Sequence, residues 1–232
     1  MTPKHRILLK SGVWLACLTP LALLLHRAYA EGLGANPIEF VTRWLGIWTL
    51  RLLLLSLTMT PLRILFGLPW PITLRRLLGL FAFFYASLHF GVWIVLDHFF
   101  DWPTMAADVV KRPFMTVGMT ALLVLIPLAA TSTSGMVKRL GGTGWRRLHR
   151  LAYLAGLLAA LHFLWLAKVG RDEPYVYAGW LALALGVRLC DAGRRVVRRP
   201  GGRPAAAPQL TASPAAPIVV SDQVFSRPPG DE

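Results

Sequence analysis

The sequence predicts an all-α fold, a polytopic membrane protein whose six transmembrane helices form one bundle. Three observations support this prediction. The chain of 232 residues is 55% hydrophobic and has a mean hydropathy of +0.53, values that soluble globular domains do not reach. Several apolar runs have the roughly 20 residues that a helix needs to cross a bilayer. Almost all charged residues lie between these runs.

Each predicted span is an apolar run bounded by charged residues or by helix-interrupting Gly and Pro. The first run is long and lacks the small-residue cleavage site of a signal peptide, so we expect it to remain as a helix. Loops are predicted at residues 30–43, 97–112 and 131–147, where Gly, Pro or charged residues cluster. The six predicted spans cover residues 8–29, 44–66, 75–96, 113–130, 145–168 and 175–190, the last with an extension to Val197.

Positive charge is concentrated on one side of this arrangement. The formal net charge is +14. Most of the 25 Lys and Arg residues fall in the N-terminus, in the loops after the second and fourth spans, and in the C-terminal segment. Six spans place these segments on the same side, and the positive-inside rule assigns that side to the cytoplasm. Topology therefore explains the high pI, and nucleic acid is not expected as a partner.

The C-terminal segment differs in composition from the rest of the chain. Residues 198–232 are rich in Pro, Ala and Gly, which predicts a disordered cytoplasmic tail after a six-helix domain at residues 1–197. This tail is far shorter than a flavin or nicotinamide domain, so we expect electrons to come from another source. Neither Cys17 nor Cys190 lies in a CxxCH motif, which excludes a covalently attached c-type haem.

Three histidines fall in predicted spans, and ionisable side chains inside a membrane are functional candidates by default. Neutral imidazole binds iron well, and low-spin haem needs one ligand on each face of the macrocycle. The third and fifth spans run in the same direction; His89 follows Arg76 by thirteen residues, and His162 follows His149 by thirteen. Matching by depth pairs His89 with His162 in the outer half of the membrane. It places His149 opposite Arg75 or Arg76 at the inner face.

This pattern is that of a four-histidine, two-haem arrangement with one inner histidine missing, so one haem and two haems both remain open. Positions thirteen residues apart lie about 140° apart around an ideal helix, so either the helices bend or His149 and His162 face different neighbours. Haem propionates need cations, for which Arg51 or Arg43 are candidates at the outer end and Arg75, Arg76 or Arg147 at the inner face. Arg51 either meets an anionic cofactor group or extends toward the outer interface.

Other function classes remain as alternatives. The histidines could carry protons in a small proton-coupled transporter, although such relays usually contain Asp or Glu inside the membrane. The chain could also be a passive membrane anchor for a partner enzyme. A further interpretation places a divalent metal at Asp97, His98 and Asp101, a spacing with little specificity.

Taken together, several short motifs resemble the ferric reductase-like transmembrane family. Within it, they are most similar to the haem-binding membrane subunits of bacterial periplasmic methionine sulfoxide reductase systems. The order and spacing of the motifs, rather than any one of them, carry the resemblance over residues 8–192. They are NPIEF at 36–40, TP at 60–61, RRLLGL at 75–80, His89, KRPFMTVG at 111–118, TS at 131–132, WRRLHRLAY at 145–153 and LHFLWLAK at 161–168.

The resemblance implies an electron-transfer subunit of the bacterial inner membrane without its own substrate site. Electrons would pass from the quinone pool through haem b to a periplasmic molybdopterin-containing methionine sulfoxide reductase, which repairs oxidised periplasmic proteins. Haem ligation carries over onto His89, His149 and His162. The resemblance also implies FMN as a cofactor, and the sequence contains no residues that identify a flavin site.

Overall fold

A computed structural model describes residues 3–166 and 172–197, and these residues are almost entirely helical. The predicted tail at 198–232 lies outside the described residues. So do residues 167 and 168 at the end of the predicted fifth span. The α-helices are α1 (Pro3–Ala30), α2 (Pro37–Phe66), α3 (Arg75–Val92), α4 (Trp102–Lys111), α5 (Pro113–Ala130), α6 (Ser134–Leu148), α7 (Leu151–Trp165) and α8 (Glu173–Val197).

The helices confirm an all-α polytopic membrane protein. Five of them, α1, α2, α3 with its extension, α5 and α8, are long and apolar enough to cross a membrane. Helices α6 and α7 pass the same test together but are bent by 43° at the break between them. Counting this bent pair as one span gives six. We call the end of the bundle that the charge pattern assigns to the periplasm the outer end.

The prediction that the second span begins at residue 44 was wrong. Helix α2 begins at Pro37, because the side chain of Asn36 accepts a hydrogen bond from the Glu39 N–H and Pro37 occupies the first helical position. Asn before Pro is a strong helix-start signal. The helix ends at Gly67, whose φ of 67° is a left-handed conformation suited to glycine. In contrast, the predicted bounds of the fourth span are confirmed by α5.

The segment at 97–112, predicted as a loop, contains helix α4. Its start is fixed by Asp101, whose carboxylate accepts hydrogen bonds from the Thr104 N–H at 3.3 Å and the Thr104 hydroxyl at 2.7 Å. Helix α3 continues through a π-helical turn at Trp93–Asp97. The apolar and charged residues of α4 are segregated to two faces. The loop prediction rested on the Pro and Asp content of the segment and did not take this amphipathic pattern into account.

The predicted loop at 131–147 was also wrong, and so was a continuous fifth span from residue 145. Helix α6 begins where the Thr133 hydroxyl accepts from the Met136 N–H at 3.2 Å. It is interrupted at Gly141, which has φ of 69° and ψ of 154°. The chain bends again after Leu148, and α7 starts at Leu151. His149 therefore lies at a break between two helices, not within one.

Helix α2 is the centre of the bundle and packs against α1, α3, α7 and α8. Polar contacts attach helix α1 to α2 and α3. Trp44 in α2 donates from its indole nitrogen to the Pro20 carbonyl at 3.0 Å. The fully buried Tyr85 in α3 donates from its hydroxyl to the Cys17 carbonyl at 2.7 Å and accepts from the Leu21 N–H at 3.1 Å. These bonds satisfy backbone groups of α1 next to Pro20, which has no N–H.

Helix α8 is held against the inner half of the bundle by Arg188. Its guanidinium donates to the Tyr153 hydroxyl of α7 and to the Leu57 carbonyl of α2, and it lies 4.9 Å from the centroid of the Tyr153 ring. Leu54, Leu57 and Leu181 are buried around this junction. The two terminal nitrogens of this basic residue thus have a carbonyl and a hydroxyl as partners and the guanidinium lies on an aromatic face, whereas its buried Nε has no hydrogen-bond partner.

Candidate functional site

The structure brings the side chains of His89 of α3 and His162 of α7 close together in the outer half of the bundle. The centroids of the two imidazole rings are 6.5 Å apart, and the ring planes are inclined by 79°. Both side chains are half-buried. Depth matching along the sequence had paired these same two residues.

Each of these rings is held by a backbone carbonyl of a neighbouring helix. Nδ1 of His89 lies 2.8 Å from the Thr42 carbonyl oxygen of α2. Nδ1 of His162 lies 2.7 Å from the Phe114 carbonyl oxygen of α5. A carbonyl can only accept, so Nδ1 carries the proton in both rings and Nε2 keeps its lone pair. Among the described residues, none hydrogen-bonds to either Nε2.

Both histidines line a cavity of about 620 Å³ formed mainly by residues of α2, α3, α5 and α7. Cofactor sites commonly have volumes of roughly 300–1,000 Å³. Its walls are mainly apolar, and the polar residues lie toward the outer end. The apolar lining includes Ile47, Leu50, Ala86, Ala121, Leu122, Leu125, Ala159 and Phe163, and the polar outer end includes Asn36, Glu39, Arg43, Asp97 and Arg112.

Two cations lie at the outer end of the cavity. Arg43 forms an ion pair with Glu173 at 2.9 Å, and Arg112 forms one with Asp108 at 3.4 Å. Of the two outer cations predicted from sequence, Arg43 lines the cavity and Arg51 does not. The Arg51 guanidinium donates to the Tyr177 hydroxyl at 2.7 Å and lies 4.9 Å from the Trp48 ring.

His149 lies in different surroundings. Its ring stacks on Trp145 with centroids 3.9 Å apart, and its Nε2 is 3.1 Å from the Thr131 hydroxyl. The same hydroxyl is 2.6 Å from the Pro127 carbonyl, to which it donates its only hydrogen. Its oxygen therefore accepts from His149, and the proton of this imidazole is on Nε2. The structure does not bring His149 to the cavity.

The two arginines predicted to face His149 also lie apart from the cavity. Arg75 is half-buried at the start of α3, where its carbonyl accepts from the Ser56 hydroxyl at 2.8 Å. Arg76 is exposed. Both remain at the inner end of the bundle, where cytoplasmic basic residues are expected.

The alternative metal site at Asp97, His98 and Asp101 is not formed. His98 lies between Asp97 at 3.9 Å and Asp108 at 3.6 Å, whereas Asp101 caps α4. Within residues 3–166 and 172–197, no group of three or more His, Cys, Asp or Glu side chains could hold a metal ion.

The geometry of the His89 and His162 pair fits a planar macrocycle with one metal at its centre. Metal–imidazole bonds of about 2 Å on each side, together with the two ring radii, give a centroid separation of roughly 6 Å. The observed 6.5 Å matches this value. The donor set is also suitable, because Nε2 is the nitrogen left free in both rings and each Nδ1–H is held by a carbonyl.

Three features of this site were missed from the sequence. The Thr42 and Phe114 carbonyls are backbone groups, which leave no signal in residue types. Arg112, in contrast, was recognisable from the sequence. It directly precedes Pro113, the first residue of a span that starts at the outer end, and so lies at a depth similar to that of Arg43. It was read as part of a charged loop rather than as a cavity residue.

Comparison with known proteins agrees with this architecture. Residues 45–160 match the family described as ferric reductase like transmembrane component. A protein-methionine-sulfoxide reductase heme-binding subunit MsrQ of Rhodospirillum rubrum is 53% identical over 83% of this chain and 92% of its own length. Those of Herminiimonas arsenicoxydans and Ralstonia nicotianae are 50% and 47% identical, over 81% and 82% of this chain and 87% and 88% of their own lengths. The chain therefore belongs to the ferric reductase-like transmembrane family and, within it, to the MsrQ subunits.

Proposed function

We propose that this protein binds one b-type haem between His89 and His162 and conducts electrons across the bacterial inner membrane. The donor is the quinone pool, and the acceptor is a periplasmic molybdopterin-containing methionine sulfoxide reductase that repairs oxidised proteins. The name of the relatives, heme-binding subunit of a methionine sulfoxide reductase, supports the cofactor and the partner. Quinone, molybdopterin and FMN enter the proposal from the family resemblance alone.

The observation that carries the proposal is the paired imidazoles with free Nε2 atoms at a centroid separation of 6.5 Å. A packing histidine would be expected to satisfy both ring nitrogens with protein partners. Here Nδ1 of each ring is satisfied by a carbonyl and Nε2 is left for a ligand that lies between the rings. Haem, when bound, would supply one-electron redox chemistry, and His89 and His162 would hold its iron through these nitrogens.

The remaining residues of the cavity have supporting roles. The apolar side chains of α2, α5 and α7 exclude water from the region between the histidines, which suits the porphyrin faces. Arg43 and Arg112 lie at the outer end, where carboxylates of a bound macrocycle would share these two cations with Glu173 and Asp108. The outer placement of the pair shortens the distance to an acceptor in the periplasm.

The structure favours one haem over two. At the inner position, His149 has its Nε2 engaged by Thr131, so ligation through Nε2 would require loss of that hydrogen bond and of its proton. Arg75 and Arg76 at the same depth supply no imidazole. A stoichiometry near one haem per chain is therefore expected.

The test is the absorption spectrum of purified protein, oxidised and then reduced with dithionite, with haem measured against protein. We expect a low-spin bis-histidine spectrum in the native protein and its loss in His162→Ala. The control is His26→Ala, which changes an exposed histidine of α1 and should keep the spectrum. A His162→Ala preparation with an unchanged spectrum would refute the ligand assignment. If the native protein is colourless after expression with ample haem, the result would favour a proton-coupled transporter instead.

The electron-transfer role needs a separate measurement, because a passive anchor could also bind haem. Membranes that contain this subunit and the partner reductase should reduce methionine sulfoxide with a quinol as donor. His89→Ala and His162→Ala should each stop this reaction. Reduction that continues in the double variant would support an anchor.

A further inference from the structure

Each of the two paired histidine rings lies directly against a glycine of the neighbouring helix. A Cβ atom built on Gly118 of α5 would lie 2.7 Å from Nδ1 and 2.8 Å from Cε1 of His162. A Cβ on Gly46 of α2 would lie 3.1 Å from Cε1 and 3.3 Å from Nδ1 of His89. Real Cβ atoms essentially never come closer than 3.0 Å to such atoms. Any other residue at position 118 would therefore displace the ring.

The two glycines occupy the same place relative to the carbonyls that hold the rings. Gly46 follows Thr42 by four residues, and Gly118 follows Phe114 by four. In an α-helix the carbonyl of residue i points along the axis toward residue i+4, whose N–H it accepts. A ring that donates to this carbonyl from the side must therefore pass over residue i+4. Two different helix pairs, α2 with α3 and α5 with α7, show this same arrangement.

We propose that Gly46 and Gly118 are positioning residues that set the orientation and tautomer of His89 and His162. The absence of a side chain lets each ring reach the carbonyl one turn earlier, and the resulting Nδ1–H···O bond directs Nε2 toward the space between the rings. This inference rests on the proposed haem site. It adds that the two glycines, which contribute no donor atom, decide whether that site can form.

Ordinary close packing does not explain these contacts. Gly156 of α7 is also tightly packed, since a Cβ there would lie 2.8 Å from Cδ1 of Leu57. That atom is the end of a flexible side chain, which can rotate away. The His162 ring is fixed by its bond to the Phe114 carbonyl and would be fixed on its other side by the metal, so it cannot give way without losing one of the two.

The experiment compares Gly118→Ala and Gly46→Ala with Gly91→Ala. Gly91 lies in the same helix as His89, two residues further on, and a Cβ there meets nothing within 4 Å. Alanine is the better helix former, so none of these changes should harm the helices themselves. The readouts are haem content, the absorption spectrum and the electron paramagnetic resonance spectrum of the oxidised haem, which reports the angle between the two imidazole planes.

We expect Gly118→Ala to lower haem retention about tenfold or more, the size of effect seen when groups that orient a metal ligand are changed. Gly46→Ala should retain more haem because its contacts are longer, with a changed resonance spectrum as His89 tilts. Gly91→Ala should match the native protein in all three readouts. Native haem content and native spectra in both Gly118→Ala and Gly46→Ala would overturn the proposal.

A folding control separates this inference from its premise. If Gly118→Ala does not accumulate, the double variant His162→Ala/Gly118→Ala should accumulate as well as His162→Ala alone, because the new methyl group then has no ring to displace. A double variant that still fails to accumulate would overturn the positioning role. If His162→Ala itself keeps native haem, the proposed function fails; if His162→Ala loses haem and Gly118→Ala does not, only the role of the glycines fails.

Discussion

The outer histidine pair and the inner His149 use the same side chain in opposite ways. At the outer site, Nδ1 of His89 and of His162 donates to a carbonyl, and Nε2 faces a cavity without a hydrogen-bond partner among the described residues. At the inner site, Nε2 of His149 donates to the Thr131 hydroxyl and one face of the ring is covered by Trp145 at 3.9 Å. The two sites therefore hold opposite tautomers.

Depth in the membrane and residue type therefore do not by themselves identify a metal ligand. What separates the two sites is the partner of each ring nitrogen. A carbonyl can only accept, so it leaves the other nitrogen with a lone pair. A hydroxyl that already donates its hydrogen to another group can only accept, so it pairs with the ring nitrogen that carries the proton. The His149 ring then stabilises the break between α6 and α7.

The strongest test of this comparison makes the same substitution, histidine to alanine, at each of the two sites. His89→Ala should lower haem content by more than about tenfold, because changing only a group that orients a metal ligand already lowers affinity about tenfold and this variant removes a ligand itself. His149→Ala should leave haem content and the absorption spectrum unchanged. Haem per chain after purification in detergent measures both effects.

Added imidazole provides a control for this test. It should restore part of the haem in His89→Ala, since the space left by the ring lies on the cavity. If His149→Ala loses haem as completely as His89→Ala, the two histidines are equivalent and the contrast drawn from their hydrogen bonds is wrong.

A smaller effect is expected from the cations around the outer site. Arg112→Gln removes a charge at the outer end of the cavity, where it would attract a haem carboxylate. Because Arg112 is 55% exposed, we expect haem loss to accelerate only about two- to fivefold, the range of partly solvated ion pairs. The transfer of haem to an excess of an apo-globin acceptor measures this rate.

Arg51→Gln is the matched control, because Arg51 is also in an outer segment but contacts Tyr177 and Trp48 instead of the cavity. Its rate of haem loss should equal that of the native protein. A faster loss in Arg51→Gln than in Arg112→Gln would favour the sequence-based assignment of Arg51 over the placement seen in the structure.

Much of the fold could be predicted because hydropathy and charge determine membrane spans directly. Helix α5 has the predicted bounds, and α8 reaches the predicted extension. The main errors lie in the helices that do not pass the length and hydropathy test for a membrane span on their own. Helices α4 and α6 combine polar and apolar residues at a helical spacing, and composition alone assigned them to loops. At the bend, the His149 ring stacks on Trp145 and contacts the Thr131 hydroxyl, and no local signal at residues 148–151 reveals these contacts.

The candidate site was predictable in its pairing and unpredictable in its details. The depth of His89 and His162 follows from helix geometry, and this was sufficient to match them. Which cation lies on the cavity depends on the rotation of α2 about its axis. Arg43 and Arg51 are eight residues apart, which places them about 80° apart around an ideal helix, and only Arg43 lines the cavity. The sequence alone does not show which of these two directions faces the cavity.

The smallest expected effect tests the inner half of the comparison. Thr131→Val removes the hydroxyl that accepts from His149 while keeping nearly the same shape. The variant loses two hydrogen bonds, to His149 and to the Pro127 carbonyl, and at about 1 kcal/mol net for each bond the free energy of unfolding should fall by about 2 kcal/mol. Haem content should not change, because the outer site is untouched. Thermal unfolding in detergent and the absorption spectrum measure the two quantities on the same sample.

Thr120→Val separates the His149 contact from the other bond of this hydroxyl. Thr120 is an exposed residue of α5 whose hydroxyl donates to the carbonyl four residues earlier, at 2.8 Å, as Thr131 donates to Pro127. It has no histidine partner. The excess destabilisation of Thr131→Val over Thr120→Val therefore reports the His149 bond together with the greater burial of Thr131. If Thr131→Val instead gains haem toward two per chain, the inner imidazole is a ligand held back only by this hydroxyl, and the distinction between the two sites is one of occupancy rather than of kind.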